Sequence, residues 1–230
     1  MEPKVIYEDN HLIGVNKPAG WLVQADITGD MTLADWTKAY IKHRYKKPGD
    51  VFLGVIHRID RPVSGTVIFA RTSKGLTRMN ELIKERKIEK KYWAVTAIRP
   101  NPLSADLTHY ILKDRDKNKV KVFDQPSRRS KDAKQAELSY SLLSGIGDNY
   151  LLEVLLKTGR SHQIRAQLAR VGYPIRGDIK YGFKKPNQDA SIHLHCRSMS
   201  FLHPVKKEQI CIQSDPPNEQ IWNLFEDMWG

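Results

Sequence analysis

The sequence predicts an α+β protein with a mixed, largely antiparallel sheet flanked by helices and loops. Three observations predict it. Short apolar runs with strand character recur along the chain, they come in consecutive groups separated by turn residues, and the few segments with helical spacing do not alternate with them as βαβ units would. The chain has 230 residues, 40% of them hydrophobic, which suffices for a real core. Lys and Arg number 38 against 26 Asp and Glu, a net charge of +12, and the pI is near 9.6. Such a balance points to a polyanionic partner, nucleic acid ahead of an anionic membrane surface. No apolar run of spanning length occurs, and the start, MEPKVIYEDN, lacks the basic-then-apolar layout of a signal peptide. Cys196 and Cys211 cannot build a disulfide framework and sit in no CxxC, which fits a reducing compartment and predicts a cytoplasmic protein.

Taken in order, VIYEDNHLIGVNKPAG holds two apolar runs around the turn-prone Asp9 and Asn10 and predicts a hairpin feeding a loop at Lys17-Pro18-Ala19-Gly20. TLADWTKAYIKHRYKK offers Thr32 as N-cap with Asp35 three residues on, then Leu33, Trp36, Tyr40 and Ile41 at helical spacing, until Pro48-Gly49 stops it. VFLGVI and GTVIFA are β-rich runs on either side of HRIDRPVS, which therefore lies in a loop between two strands. Ser73 is placed to cap a helix through Leu76, Met79, Leu82 and Ile83, and KIEKKYWAVTAI turns to a strand pattern near Tyr92. From Arg99 to about Gly147 the runs LTHYIL, KVKVF and AELSYSLL predict antiparallel strands, and NYLLEVLLKTG another. SHQIRAQLARVG reads as a short helix capped by Ser161 and ended by Gly172. Two more strands follow around SMSFLH and QICIQS, then a closing helix with an apolar stripe of Ile221, Trp222, Leu224, Phe225 and Met228.

Cofactor signatures are missing. There is no GxxxxGK[ST] and no GxGxxG; Gly145-Ile146-Gly147 runs into Asp148-Asn149 and reads as a hairpin turn. His193, His195, Cys196 and His203 invite a zinc reading, but on one strand His193 and His195 share a face while Cys196 points to the other. Core or RNA-contacting histidines are expected instead. In GRSHQIR, a cap at Ser161 puts His162 and Arg165 on one helix face, with Ile164 and Leu168 on another that packs inward. The basic face is then open to a partner, or is simply a solvated charged face. EKKYWAVT places Tyr92 and Ala94 on one face of a strand and Trp93 on the other, where a lone tyrosine is usually core. Asp60, between Arg58 and Arg61 in HRIDRPVSG, is either half of an ordinary ion pair or an acid held for chemistry.

Taken together, HRID at 57–60, KKYWA at 90–94 and GRSHQIR at 159–165, followed by GYPIRGDIKYG and SMSFLHP, resemble the RluA-type pseudouridine synthases, whose patterns read HRLD..TSG, K.Y.A and GR.HQIR in the same order. The likeness begins at VNKPAGWLV and covers most of the chain. It implies a pseudouridine synthase fold, with residues 1–230 as a single catalytic domain and no N-terminal S4 domain, since the first motif starts near residue 12. It also implies an RNA uridine isomerase, acting on rRNA or tRNA as a monomer, with no cofactor and no metal. Asp60 is by this resemblance the catalytic aspartate, Tyr92 the active-site tyrosine and Arg165 the basic residue that pairs with the aspartate. Ile59 stands where the family usually has Leu, and Val63 where it has Thr, so a hydroxyl is lost there.

The chemistry needs an anionic side chain against sugar or base, and Asp is ionised at neutral pH. Sequence leaves open whether Asp60 attacks C1′, attacks C6 or removes a proton from C2′; the resemblance favours the last. A stacked uridine must leave its helix to be reached. Arg58 is expected at the displaced nucleotide, with Arg61, Lys17, Lys90, Arg160, His162 and Gln163 as the other RNA-binding residues. Basic segments around Lys42 to Lys47, Lys84 to Lys91, Arg128 to Lys134 and Lys184 to Lys185 add a surface that tracks phosphates without reading sequence. The rival reading is a non-catalytic RNA-binding factor on the same fold, against which an intact Asp, Tyr and Arg set argues. A zinc nuclease or deaminase would need ligands the HLHC stretch supplies poorly, and the HxE with PCxxC pattern is missing.

Overall fold

The computed structural model describes residues 1–26, 29–114 and 116–229. In chain order the elements are β1 (Lys4–Glu8), β2 (Leu12–Lys17), α1 (Leu33–Arg44), β3 (Gly54–Val55), β4 (Ser64–Ala70), α2 (Ser73–Lys84), β5 (Glu89–Thr96), β6 (Ser104–Asp114) and β7 (Lys119–Phe123). There follow β8 (Lys134–Ile146), β9 (Asn149–Leu156), α3 (Gln163–Arg170), β10 (Leu194–Leu202), β11 (Gln209–Gln213) and α4 (Gln220–Asn223), with short 3-10 turns between. The chain divides into two compact units, Met1–Glu89 with His195–Pro217, and Lys90–Leu194 with Asn218–Gly230.

In the first unit β1 and β2 form the expected hairpin, with Val5 opposite Val15. Its turn is built by Asp9, whose carboxylate accepts the main-chain N–H of His11 and of Leu12, both at 2.8 Å. β2 pairs antiparallel with β4, and β4 runs parallel to β10 with Ser64 opposite His195 and Gly65 opposite Cys196. β11 lies antiparallel on β10, and the two-residue β3 on β4. All seven residues of β4 are buried, as a central strand requires. Gly65 permits the parallel pairing. Its φ is +119°, and a Cβ there would lie 2.4 Å from the carbonyl oxygen and 2.5 Å from the nitrogen of Cys196.

Thr32 closes the capping box of α1 in both directions, accepting from the Asp35 N–H and receiving the Asp35 carboxylate on its own N–H, each at 3.2 Å. The cap of α2 is Thr72, one residue before the expected Ser73. Thr72 has extended backbone and its hydroxyl accepts the Gly75 N–H at 3.1 Å, while Ser73 is already helical. The sequence offers two adjacent hydroxyls, and the first of them makes the cap.

The second unit carries β5, β9, β8, β6 and β7 in that spatial order, each pair antiparallel. The stretch from Gly145 to Asn149 is a hairpin, as expected, with Ile146 paired to Asn149 and Gly147 at φ +55° in the two-residue turn between β8 and β9. Ile111, Val120 and Ala136 of this sheet pack on Ala166 of α3 and on Tyr181. A second cluster joins Trp93, Val95 and Leu151 to Trp222 and Phe225. Trp93 and Val95 thus share a face of β5, leaving Tyr92 and Ala94 on the other, as the period of two predicts. The closing helix is much shorter than its apolar stripe suggests. It comprises α4 and a 3-10 turn at Glu226–Met228, and it buries Trp222 and Phe225 while Leu224 and Met228 stay exposed. Among the described residues no helix is long and apolar enough to cross a membrane.

Candidate functional site

The loop that carries Asp60 is fixed on both sides of it. His57 accepts the main-chain N–H of Ile68 on β4 at its Nε2, 3.0 Å away, so its neutral ring carries the proton on Nδ1. Ile59 and Val63 are buried, which places the motif's non-hydroxyl residue in the core. The Asp60 carbonyl accepts from the Val63 N–H at 3.1 Å, and the Arg61 carbonyl accepts from Gly20 at 2.8 Å. Asp60 itself is half-buried, between the exposed Arg58 and Arg61. Arg61 donates through Nε to the Gly20 carbonyl at 3.0 Å and pairs with Asp30 at 2.9 Å.

Lys17, expected at the RNA, is fully buried. Its ammonium donates to three carbonyls, Trp21 at 2.8 Å, Pro18 at 3.0 Å and Arg61 at 3.2 Å. It cannot reach a phosphate. It joins the loop after β2 to the loop of Asp60. Burial pushes its pKa down to about 7, the Asp60 carboxylate opposes that fall, and Arg61 adds to it. Three carbonyl acceptors match the three N–H groups of the charged form; a neutral amine would turn a lone pair on one of them.

Four residues beyond Asp60, the Ser64 hydroxyl meets Nδ1 of His195 at 2.9 Å. His195 Nε2 faces the Ser214 carbonyl at 2.9 Å, which can only accept, so Nε2 carries the proton and Nδ1 accepts from Ser64. Burial holds this imidazole neutral, with a pKa pushed down to about 4. The Ser–His pair therefore pins the start of β4 and is no nucleophile. Arg197, also buried, donates to the same Ser214 carbonyl at 2.7 Å and to Asp215 at 2.8 Å.

In the second unit Tyr92 is buried on β5, opposite Val154 of β9. His193 lies between Asn187 at 3.2 Å and Glu219 at 3.0 Å, so the histidines of IHLHC serve the packing of the two units' own elements. The GRSHQIR segment departs most from expectation. The N-cap of α3 is His162, in the left-handed region at φ +51°, and Ser161 makes no cap. Gln163 replaces it, its Oε1 accepting from the Arg160 N–H at 2.9 Å and the Thr158 hydroxyl at 2.8 Å, its amide donating to the Glu137 carbonyl at 3.0 Å. Gln163 is thus a scaffold group in this structure, not an exposed RNA contact. The first six residues of α3, Gln163 to Leu168, are all buried, so the expected open basic face does not exist. Arg160 is half-buried with Nε on the Gln135 carbonyl, and His162 and Lys90 are half-buried as well.

Arg165 is 5% exposed. Its Nε donates to Asp178 Oδ2 at 2.7 Å and its Nη2 to Oδ1 at 2.9 Å, a two-point pair with a carboxylate that the sequence reading did not single out. The signal was present in GYPIRGDIKYG, where an acid falls 13 residues after the arginine. The Tyr181 ring lies 5.2 Å from the guanidinium carbon.

The model of the RNA pseudouridylate synthase family matches residues 11–170 of this chain. Among curated proteins, the chain is 31% identical over 221 residues to ribosomal large subunit pseudouridine synthase C of Buchnera aphidicola subsp. Acyrthosiphon pisum, covering 92% of this chain and 66% of that relative. It is 30% identical over 242 residues to tRNA pseudouridine synthase C of Haemophilus influenzae, covering 96% and 97%. The chain therefore spans just under two thirds of the first relative's length and nearly all of the second's. Among solved structures, human RNA Pseudouridylate Synthase Domain Containing 4 superposes with a TM-score of 0.78 at 25% identity, over 96% of this chain and 91% of that one. Motifs, fold and relatives agree, and the chain belongs to the RNA pseudouridylate synthase family.

Proposed function

We propose that this chain isomerises uridine to pseudouridine in RNA, with Asp60 as the catalytic carboxylate and Tyr92 and Arg165 as the other residues of the reaction. The observation that carries the reading is the family match across all three motifs, joined to a loop that fixes the main chain on both sides of Asp60 while leaving its carboxylate half-exposed. The N1–C1′ bond breaks and a C5–C1′ bond forms; the C5 proton is lost and N1 gains one. Nothing is oxidised, and no group is donated from outside. Asp60 supplies the anionic oxygen that acts on sugar or base, and Tyr92 a ring held in place to lie against uracil. The names of the relatives support ribosomal or transfer RNA as the target class; the cytoplasm is the proposed setting. Tritium release from C5-labelled transcripts of large-subunit rRNA and tRNA tests the activity. Release by the wild type and none by Asp60→Asn is expected; no release from either RNA class, with no pseudouridine difference between cells with and without the protein, would overturn it.

A further inference from the structure

The segment RGDIKYG has no part in the reading above, yet it builds the seat of Arg165. Asp178 is 1% exposed and takes two of the five N–H groups of the guanidinium, those of the Nε–Nη2 edge. Tyr181 lies over the same guanidinium, and its hydroxyl accepts the Val120 N–H at 3.0 Å and shares a hydrogen bond with Nδ1 of His162 at 2.8 Å. One short segment therefore grips GRSHQIR at both His162 and Arg165. Its own main chain is fixed. The Asp178 N–H donates to Ile175, its carbonyl accepts from Tyr181 and Phe183, and Gly177 stands at φ +82°, where a Cβ would meet Asn187 and the Ser191 carbonyl within 2.8 Å.

A buried guanidinium cannot shed its proton, so it needs a buried counter-charge or it stays outside. A carboxylate engaging one edge in two parallel bonds removes rotation about the last side-chain torsions and sets where the Nη1 side points. We propose that Asp178 is a positioning residue for uridine isomerisation, which acts by holding the guanidinium of Arg165 in one orientation. This rests on the reading that Arg165 takes part in the reaction.

The test measures single-turnover tritium release and RNA binding with the same C5-labelled transcripts. In Asp178→Asn the rate should fall about 100-fold, the effect of misplacing a reacting group by about 1 Å, while the Kd for RNA stays within threefold. The loss should be absent in an Arg165→Met background, which has no cation left for Asp178 to hold, because a residue that acts only through Arg165 has nothing further to remove. Losses that multiply in the double variant, or a rate loss matched by equal loss of binding, would overturn the proposal. If Asp178→Asn does not fold, Asp178→Glu keeps the charge but lengthens the arm by one methylene. The same rate loss and the same non-additivity are expected there, and a folded Asp178→Glu at wild-type rate would overturn it. Wild-type turnover in Arg165→Ala would instead sink the reading of Arg165, whereas an inactive Arg165→Ala beside a fully active Asp178→Asn sinks the positioning role alone.

Discussion

Replacing Lys17 by Met sets two large terms against each other. The ammonium is buried and its pKa has moved from 10.5 to about 7, which at pH 7 is an unfavourable contribution of about 4 kcal/mol that methionine would not carry. Against that relief stand the three carbonyls it serves. The Arg61 carbonyl keeps the Gly20 N–H at 2.8 Å, so the carbonyls of Pro18 and Trp21 are the two left without their donor. At about 1–3 kcal/mol for each orphaned buried acceptor the loss is about 2–6 kcal/mol. The terms nearly cancel, and Lys17→Met is expected to melt within several degrees of the wild type at pH 7. Turnover should fall all the same, because the buried tie between the loop after β2 and the loop of Asp60 is cut, leaving the Gly20–Arg61 bonds.

Two signatures identify this mechanism. The folded-state pKa lies below the unfolded one, so the unfolded chain holds the extra proton between pH 7 and about 10.5, and wild-type stability gains on Lys17→Met as pH rises through that window. The slope of log RNA affinity against log salt should not change, since a buried ammonium meets no phosphate. Melting curves at pH 7 and 9.5 with filter binding across a salt series provide both. A slope shallower by about one in Lys17→Met, or tritium release at wild-type rate, would refute the argument.

Three further outcomes are expected. Asp60→Asn should bind RNA and melt within a few degrees of the wild type yet make no pseudouridine, because Asp60 sits half-exposed on a loop held by other groups; a variant that turns over fails the assignment. Gly65→Ala should lose about 3–5 kcal/mol or not fold at all, since its Cβ meets main-chain atoms of Cys196 at 2.4 and 2.5 Å with φ at +119°, and a soluble variant with wild-type melting temperature would contradict the pairing of β4 with β10. Burial lowers His195 to about 4 and holds His109 and His203 below their usual value; each folded pKa is below the unfolded one, so their stability is present above pH 6.5 and lost as pH falls below it, for His195 down to about 4. His195 alone accounts for about 3 kcal/mol of this, and an unfolding free energy flat between pH 6.5 and 4.5 would refute it.

Local signals were legible wherever a few adjacent residues settle the structure. The Asp9 turn, the Thr32–Asp35 capping box, the alternation that puts Trp93 behind Tyr92, and the four strands from Ser104 to Leu156 all follow from contacts within a hairpin or a helical turn. Asp60 was legible as a loop residue between two strands. Burial of polar groups was not. A lysine between Asn16 and Pro18 reads as surface, and what buries it includes a carbonyl 44 residues away. Ser161 is the better cap by residue type, yet Gln163 holds the turn because Thr158, Arg160 and Glu137 converge on its amide. The parallel pairing of β4 with β10 joins Ser64 to His195 across 131 residues, and no local pattern in either strand announces it.

These buried cations change what the charge of +12 means for RNA. Lys17 and Arg165 in the motif segments, and Arg197 just before SMSFLHP, are buried, and each is held by carbonyls or by a carboxylate inside its own unit. They raise the formal charge and contribute little to the field felt by a phosphate. Much of the field comes from exposed residues outside the motifs, Lys42 in the last turn of α1 with Lys46 and Lys47 after it, Lys84 at the end of α2 with Lys87 after it, Arg128 and Lys131, and Lys184 and Lys185. Affinity and chemistry are thus expected to draw on different cations. Charge removal in the exposed group should lower affinity and flatten the salt slope by about one per phosphate contact, with the single-turnover rate at saturating RNA untouched. Removal of Lys17 or Arg165 is expected to do the reverse, because Lys17 is tied to the loop of Asp60 and Arg165 is proposed to take part in the reaction, while both are buried.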